Sequence, residues 1–129
     1  MSITFIEMIQ YNSQLQENGA KETVLSFIKA LNEEDFRAAR KQVNEDLIFI
    51  GVLGTRNGAD AYFSDMEKMK LKYEIKKVFS DEDGVCLLYN INMGNVTLFA
   101  CGWYQLANGK ISSFKVVFDP RPLLGGDRV

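Results

Sequence analysis

No histidine occurs among the 129 residues. Imidazole acid–base catalysis, Ser-His-Asp and Cys-His nucleophile systems and most zinc sites are thereby excluded. Asp119 is the most tempting acid, standing between an apolar strand pattern and Pro120. An Asp before Pro is equally an ordinary strand-end turn, and that structural role outweighs the catalytic one. The run Asp81-Glu82-Asp83 has acids for a cation but no EF-hand spacing, so it reads as soluble turn chemistry without metal. Gly51, Gly54 and Gly58 lie in GVLGTRNG, which lacks the Gly-Lys-Ser/Thr element of a phosphate loop and reads as a turn and helix entry. Cys86 and Cys101 are too few for a disulfide framework and lack metal-ligand spacing. Both sit in apolar runs, where buried reduced thiols are expected. The sequence implies no cofactor.

The elements that must position these groups follow from periodicity. Ser2–Gln16 carries apolar residues at helical spacing and is ended by Asn18-Gly19. Lys21–Leu31 is a stronger helix with Val24, Leu25, Phe27, Ile28 and Leu31 on one stripe. Asn32 is placed to cap a second helix running through Phe36, Ala39, Arg40 and Val43. Leu47–Ile50 reads as a short strand, and Asn57 with Asp60 as the capping box of a third helix striped by Tyr62, Phe63, Met66 and Met69. From Leu71 the period becomes two, with Leu71, Tyr73, Ile75, Lys77 and Phe79 on one face. Strands follow at Val85–Met93, Val96–Leu106 and Ile111–Phe118, separated by Asp83-Gly84, Gly94-Asn95 and Asn108-Gly109 turns. Helices first and then an antiparallel meander give an α+β layout, with N-terminal helices packed on one face of a mostly antiparallel sheet.

Length fits a single domain, and 47% hydrophobic with 25% charged residues is ordinary globular composition. The net charge of −2 offers no electrostatic footprint for nucleic acid or an anionic membrane. The lysines at 68, 70, 72, 76 and 77 read as a solvated face. Met1–Gln10 has no Lys or Arg and no long apolar run, so neither a signal peptide nor a spanning helix is expected, and a cytoplasmic protein is.

Element order, together with FIKALNEEDF (27–36), RNGADAYF (56–63) and NGKISSFKVVFDPRP (108–122), resembles the SnoaL-like group of the nuclear transport factor 2-like superfamily. The resemblance covers 18–122, leaving 1–17 as an N-terminal extension and 123–129 as a tail. It implies a cone of curved sheet closed by helices around an apolar pocket, usually as a homodimer. Members include isomerases, epoxide hydrolases, polyketide cyclases and non-enzymatic modules, so the fold does not decide the function. The ketosteroid isomerase Tyr falls on Phe27, its Asp base on Gly51 and its oxyanion Asp on Gly102. The last-strand acid of epoxide hydrolases and cyclases falls on Val116. None of these chemistries is carried over.

The same alignment orients the sheet. The implied pocket consists of Phe27, Gly51, Tyr62, Met66, Leu98, Gly102, Tyr104, Phe114, Val116 and Phe118, with Ala100 on the same face and Tyr104 and Tyr62 as polar handles. Alternation places Phe99, Cys101, Trp103 and Val117 on the opposite face, where an apolar patch marks a homodimer interface. The competing cover for that face is the segment Ile3–Ile9 folded back in a monomer. A domain binding a small hydrophobic ligand is the leading expectation. An enzyme using Asp119, Tyr104 or Tyr62 as acid–base groups and an interaction module with a filled cone are the alternatives.

Overall fold

The computed structural model describes residues 4–124. Thr4 caps the first helix, α1 (Phe5–Asn32), by accepting the Glu7 N–H. This helix is continuous, so the expected break at Asn18-Gly19 does not occur. Gly19 lies inside it with open space where a Cβ would stand. A glycine weakens a helix by about 1 kcal/mol, which the flanking turns of good helix formers outweigh.

The second helix, α2 (Phe36–Arg40), is capped by Asp35, whose carboxylate accepts the Ala38 N–H at 3.1 Å. Asn32 is therefore not the cap. Its side-chain amide donates to the Tyr73 carbonyl at 2.9 Å and accepts the Tyr73 N–H at 2.7 Å. Val43 belongs not to α2 but to the first strand, β1 (Val43–Ile50). A short strand not foreseen, β2 (Thr55–Asn57), pairs with it across the Gly51–Gly54 turn. Asn57 is held in that pairing opposite Ile48, so Gly58, at φ +94°, caps α3 (Ala59–Met69) instead.

Four strands follow: β3 (Lys72–Asp81), β4 (Gly84–Asn92), β5 (Thr97–Ala107) and β6 (Lys110–Phe118). Asn108 and Gly109 both take positive φ, as the tight β5–β6 hairpin requires. The sheet order is β2-β1-β6-β5-β4-β3, with β1 parallel to β6 and every other pair antiparallel. The sheet is open rather than closed into a barrel. An irregularity between Ile75 and Lys77 shifts the β3 register, so Val78 turns inward and Phe79, expected inward, is exposed. The core lies between the helices and the inner sheet face, centred on Phe27, Phe63, Leu87, Tyr89 and Tyr104. No helix among the described residues is long and apolar enough to cross a membrane.

Candidate ligand-binding cavity

One half of the cone is filled by rings. Phe27 on α1 is fully buried and meets Tyr62, Phe63, Tyr104 and Phe114 at centroid distances of 5.8–6.4 Å. Tyr104 stacks on Phe114 at 4.7 Å. The Tyr89 and Tyr104 hydroxyls share a 2.7 Å hydrogen bond. A Cβ on Gly102 would collide with the Tyr89 hydroxyl and stand 2.8 Å from the Tyr104 ring.

The other half is open. A cavity of about 530 Å³ lies between α3, the Gly51–Gly54 turn, the inner sheet face and a 3-10 turn at Arg121–Leu124. Of the residues expected at a ligand pocket, Gly51, Tyr62, Met66, Phe114, Val116 and Phe118 line it. Phe27, Leu98, Gly102 and Tyr104 do not. Phe27 and Tyr104 are consumed in the aromatic plug, Gly102 lies under Tyr89, and Ile91 takes the wall position beside Leu98, its cross-strand partner. Space foreseen at two glycines is therefore occupied: Tyr89 covers Gly102, and the Phe49 ring would lie 3.0 Å from a Cβ on Gly51.

Sequence reasoning missed Phe49, Leu71, Tyr73, Ile91, Met93 and Leu123 on the wall. Leu71 and Tyr73 had a signal in the β3 alternation, and Ile91 one in β4. Leu123 had none, because it reaches the cavity only through the turn after Pro120.

The charged groups at the cavity are Arg56, Asp65 and Lys68, with Arg56 bonded to Asp65 at 2.7 Å. The polar groups within the wall are the phenols of Tyr62 and Tyr73. Burial pushes both far above the ordinary tyrosine range, and does the same to Tyr89 and Tyr104. All four therefore stay neutral at physiological pH. Asp119 is not on the wall. It is half-exposed, accepts the Arg121 backbone N–H at 3.0 Å and forks the Arg121 guanidinium at 2.6–2.9 Å. Among the described residues no group of three His, Cys, Asp or Glu could hold a metal ion.

On the outer sheet face, Phe99 is 60% exposed, Val117 51% and Trp103 43%. Phe79 joins them through the β3 shift, opposite Cys86. Cys86 and Cys101 are free and half-buried on this face rather than in the core, because both alternate outward from buried neighbours. Burial raises the Cys86 thiol pKa, so it is not an activated nucleophile. Phe5, Ile6 and Met8 of α1 are themselves exposed, so they do not cover this face; Ile3 lies outside the described residues, and the side chain of Ile9 is likewise not described.

The SnoaL-like domain model matches residues 24–114. Among solved structures, an NTF2-like protein of unknown function from Cytophaga hutchinsonii is 50% identical, with a TM-score of 0.80 over 81% of this chain and 94% of that one. Bal32a, from a soil-derived mobile gene cassette, is 18% identical, with a TM-score of 0.73 over 80% and 91% of the two chains. An LEH-like epoxide hydrolase from M. tuberculosis is 21% identical, with a TM-score of 0.72 over 84% and 88%. At these last identities the likeness is one of fold. No curated protein matches the chain.

The buried phenols make stability fall at alkaline pH. Their folded pKa values are raised, so above about pH 10 the unfolded chain releases protons that the folded chain retains. Each phenol then costs about 1.4 kcal/mol of stability per pH unit, until its folded pKa is reached. In an alkaline titration the tyrosinate absorbance of these four residues should therefore rise together with loss of circular dichroism. Their ionisation in the folded protein near pH 10 would contradict the plugged cone.

Proposed function

We propose that the chain, which belongs to the SnoaL-like domain family, serves as a small-ligand-binding domain that takes a hydrophobic molecule into its half-open cavity. The observation that carries this is a cavity of ligand size, about 530 Å³, whose wall is mostly apolar side chains with two neutral phenols and three charged residues, Arg56, Asp65 and Lys68. Such a wall offers shape and burial, and its charged groups are exposed or half-exposed. Burying apolar ligand surface gains about 25 cal/mol per Å² before the costs of association. The positions where the resemblance puts isomerase and hydrolase groups hold Phe27, Gly51, Gly102 and Val116.

An uncharged dye such as Nile red should bind at one saturable site per chain and raise the melting temperature. Met93 lines the cavity and is half-buried, so Met93→Trp should fill the space without overpacking the core. Loss of dye binding in that folded variant is the expected result. No saturable binding to the unaltered protein at micromolar dye would reject the proposal.

The same proposal includes a homodimer through the outer sheet face. Phe79, Phe99, Trp103 and Val117 lie on that face and are exposed, whereas a solvated sheet face is normally polar. Trp103 stands opposite Cys86 and Lys115, near the middle of the patch, where interface hot spots concentrate. Light scattering should give twice the chain mass at micromolar concentration, and Trp103→Glu should give the single mass. A monomeric unaltered protein would refute the dimer.

A further inference from the structure

The cavity wall divides by exposure. Tyr62, Met66, Leu71, Ile91, Phe114 and Val116 are buried and form its floor, whereas Val52, Leu53, Arg56, Lys68 and Met69 are exposed and form its mouth. The mouth is thus built from the β1–β2 hairpin and the last turns of α3. The charges of the wall all stand there, two cations and one anion. Arg56 Nε donates to the Asp65 carboxylate at 2.7 Å, so these two match each other. Lys68, one turn further along α3, makes no ion pair or hydrogen bond among the described residues. Of its charged neighbours on the chain, Lys70 is drawn to Glu34 at 3.8 Å, and Glu67 is exposed and does not line the cavity. The mouth therefore carries one unmatched positive charge above an uncharged floor.

A molecule seated in a half-open cavity keeps its outer end in water. A charged group is costly where its hydration is stripped away, so an anionic head suits the mouth and not the floor. Lys68 carries its ammonium on a flexible four-carbon stem that follows such a head. That stem and the exposed side chains of Val52, Leu53 and Met69 give apolar cover to the part of a ligand next to its head. Three of the chain's five methionines, Met66, Met69 and Met93, line the cavity. Unbranched thioethers adapt to a partner's shape, so this wall suits a flexible chain as the inner part of the ligand.

From this arrangement we propose that the cavity takes an aliphatic monocarboxylic acid, chain inward, with its carboxylate held at the mouth by Lys68. The proposal rests on the cavity being a ligand site and adds the class and orientation of the ligand. Decanoate, decanol and decyltrimethylammonium share a chain and differ in the charge of the head, and each is titrated calorimetrically into the full chain. Decanoate should bind most tightly. Lys68→Met keeps the apolar stem, removes the charge and should weaken decanoate about 2- to 5-fold, the worth of an exposed ion pair, while leaving decanol unchanged. Lys68→Glu should place decyltrimethylammonium above decanoate. At about 1 M salt, where the Debye length is about 3 Å, the lead of decanoate over decanol should narrow. Lys68 is exposed near the end of α3, so circular dichroism should show both variants folded. Decanol binding as tightly as decanoate, or decanoate unaffected by either variant, would overturn the acid assignment while leaving the cavity a ligand site. Tightest binding of decyltrimethylammonium to the unaltered protein would overturn it in favour of Asp65 as the recognising group. Failure of all three in a protein that binds Nile red would overturn the acid assignment alone, and failure of the dye as well would overturn both claims.

Discussion

The Tyr89 hydroxyl rests on the backbone of Gly102 and is bonded to Tyr104, and the inner half of the cone is organised around that contact. It requires a glycine on β5, because any Cβ there would enter the space of the phenol. It also ties the middle of β4 to β5 through side chains as well as the ladder. With Tyr89 seated, Tyr104 lies flat on Phe114, and Phe27 closes over both from α1. The hydroxyl–hydroxyl bond satisfies polar atoms that an apolar filling would strand. The open cavity is what remains beyond this plug, towards α3 and the β1–β2 turn.

The open cavity begins where the plug stops. Buried phenols remain protonated, Asp119 is tied to Arg121 and Asp65 to Arg56, and imidazole is absent from the chain. Fold alone would not settle function, since the same architecture is shared with an epoxide hydrolase at 21% identity.

Much of the fold was legible because its signals are local. The period-two runs of β4, β5 and β6, the Asn108-Gly109 turn and the apolar stripe from Val24 to Leu31 each depend on neighbours in the chain. The failures lie where distant contacts decide. Asn18-Gly19 carries a local stop signal that the long helix overrides. The β3 irregularity reverses Phe79 and Val78 and has no mark in the alternation. Asn32 has the composition of a cap but spends its amide on Tyr73, forty-one residues away. In the site, Tyr62, Met66, Phe114, Val116 and Phe118 were legible from helix stripe and strand alternation. The filling of Gly102 was not, because it depends on the β4–β5 register that sets Leu87 opposite Gly102 and Tyr89 opposite Ala100.

The seating of Tyr89 on Gly102 is open to a double-mutant cycle read by urea unfolding. Gly102→Ala in the unaltered protein forces a methyl group against the phenol and should cost about 1–3 kcal/mol, as overpacking does. With Tyr89→Phe in place the hydroxyl is gone, and the same alanine should cost less by at least about 0.5 kcal/mol. Costs that simply add, within about 0.3 kcal/mol, would show that the phenol does not occupy the space over Gly102 and would contradict the plugged cone.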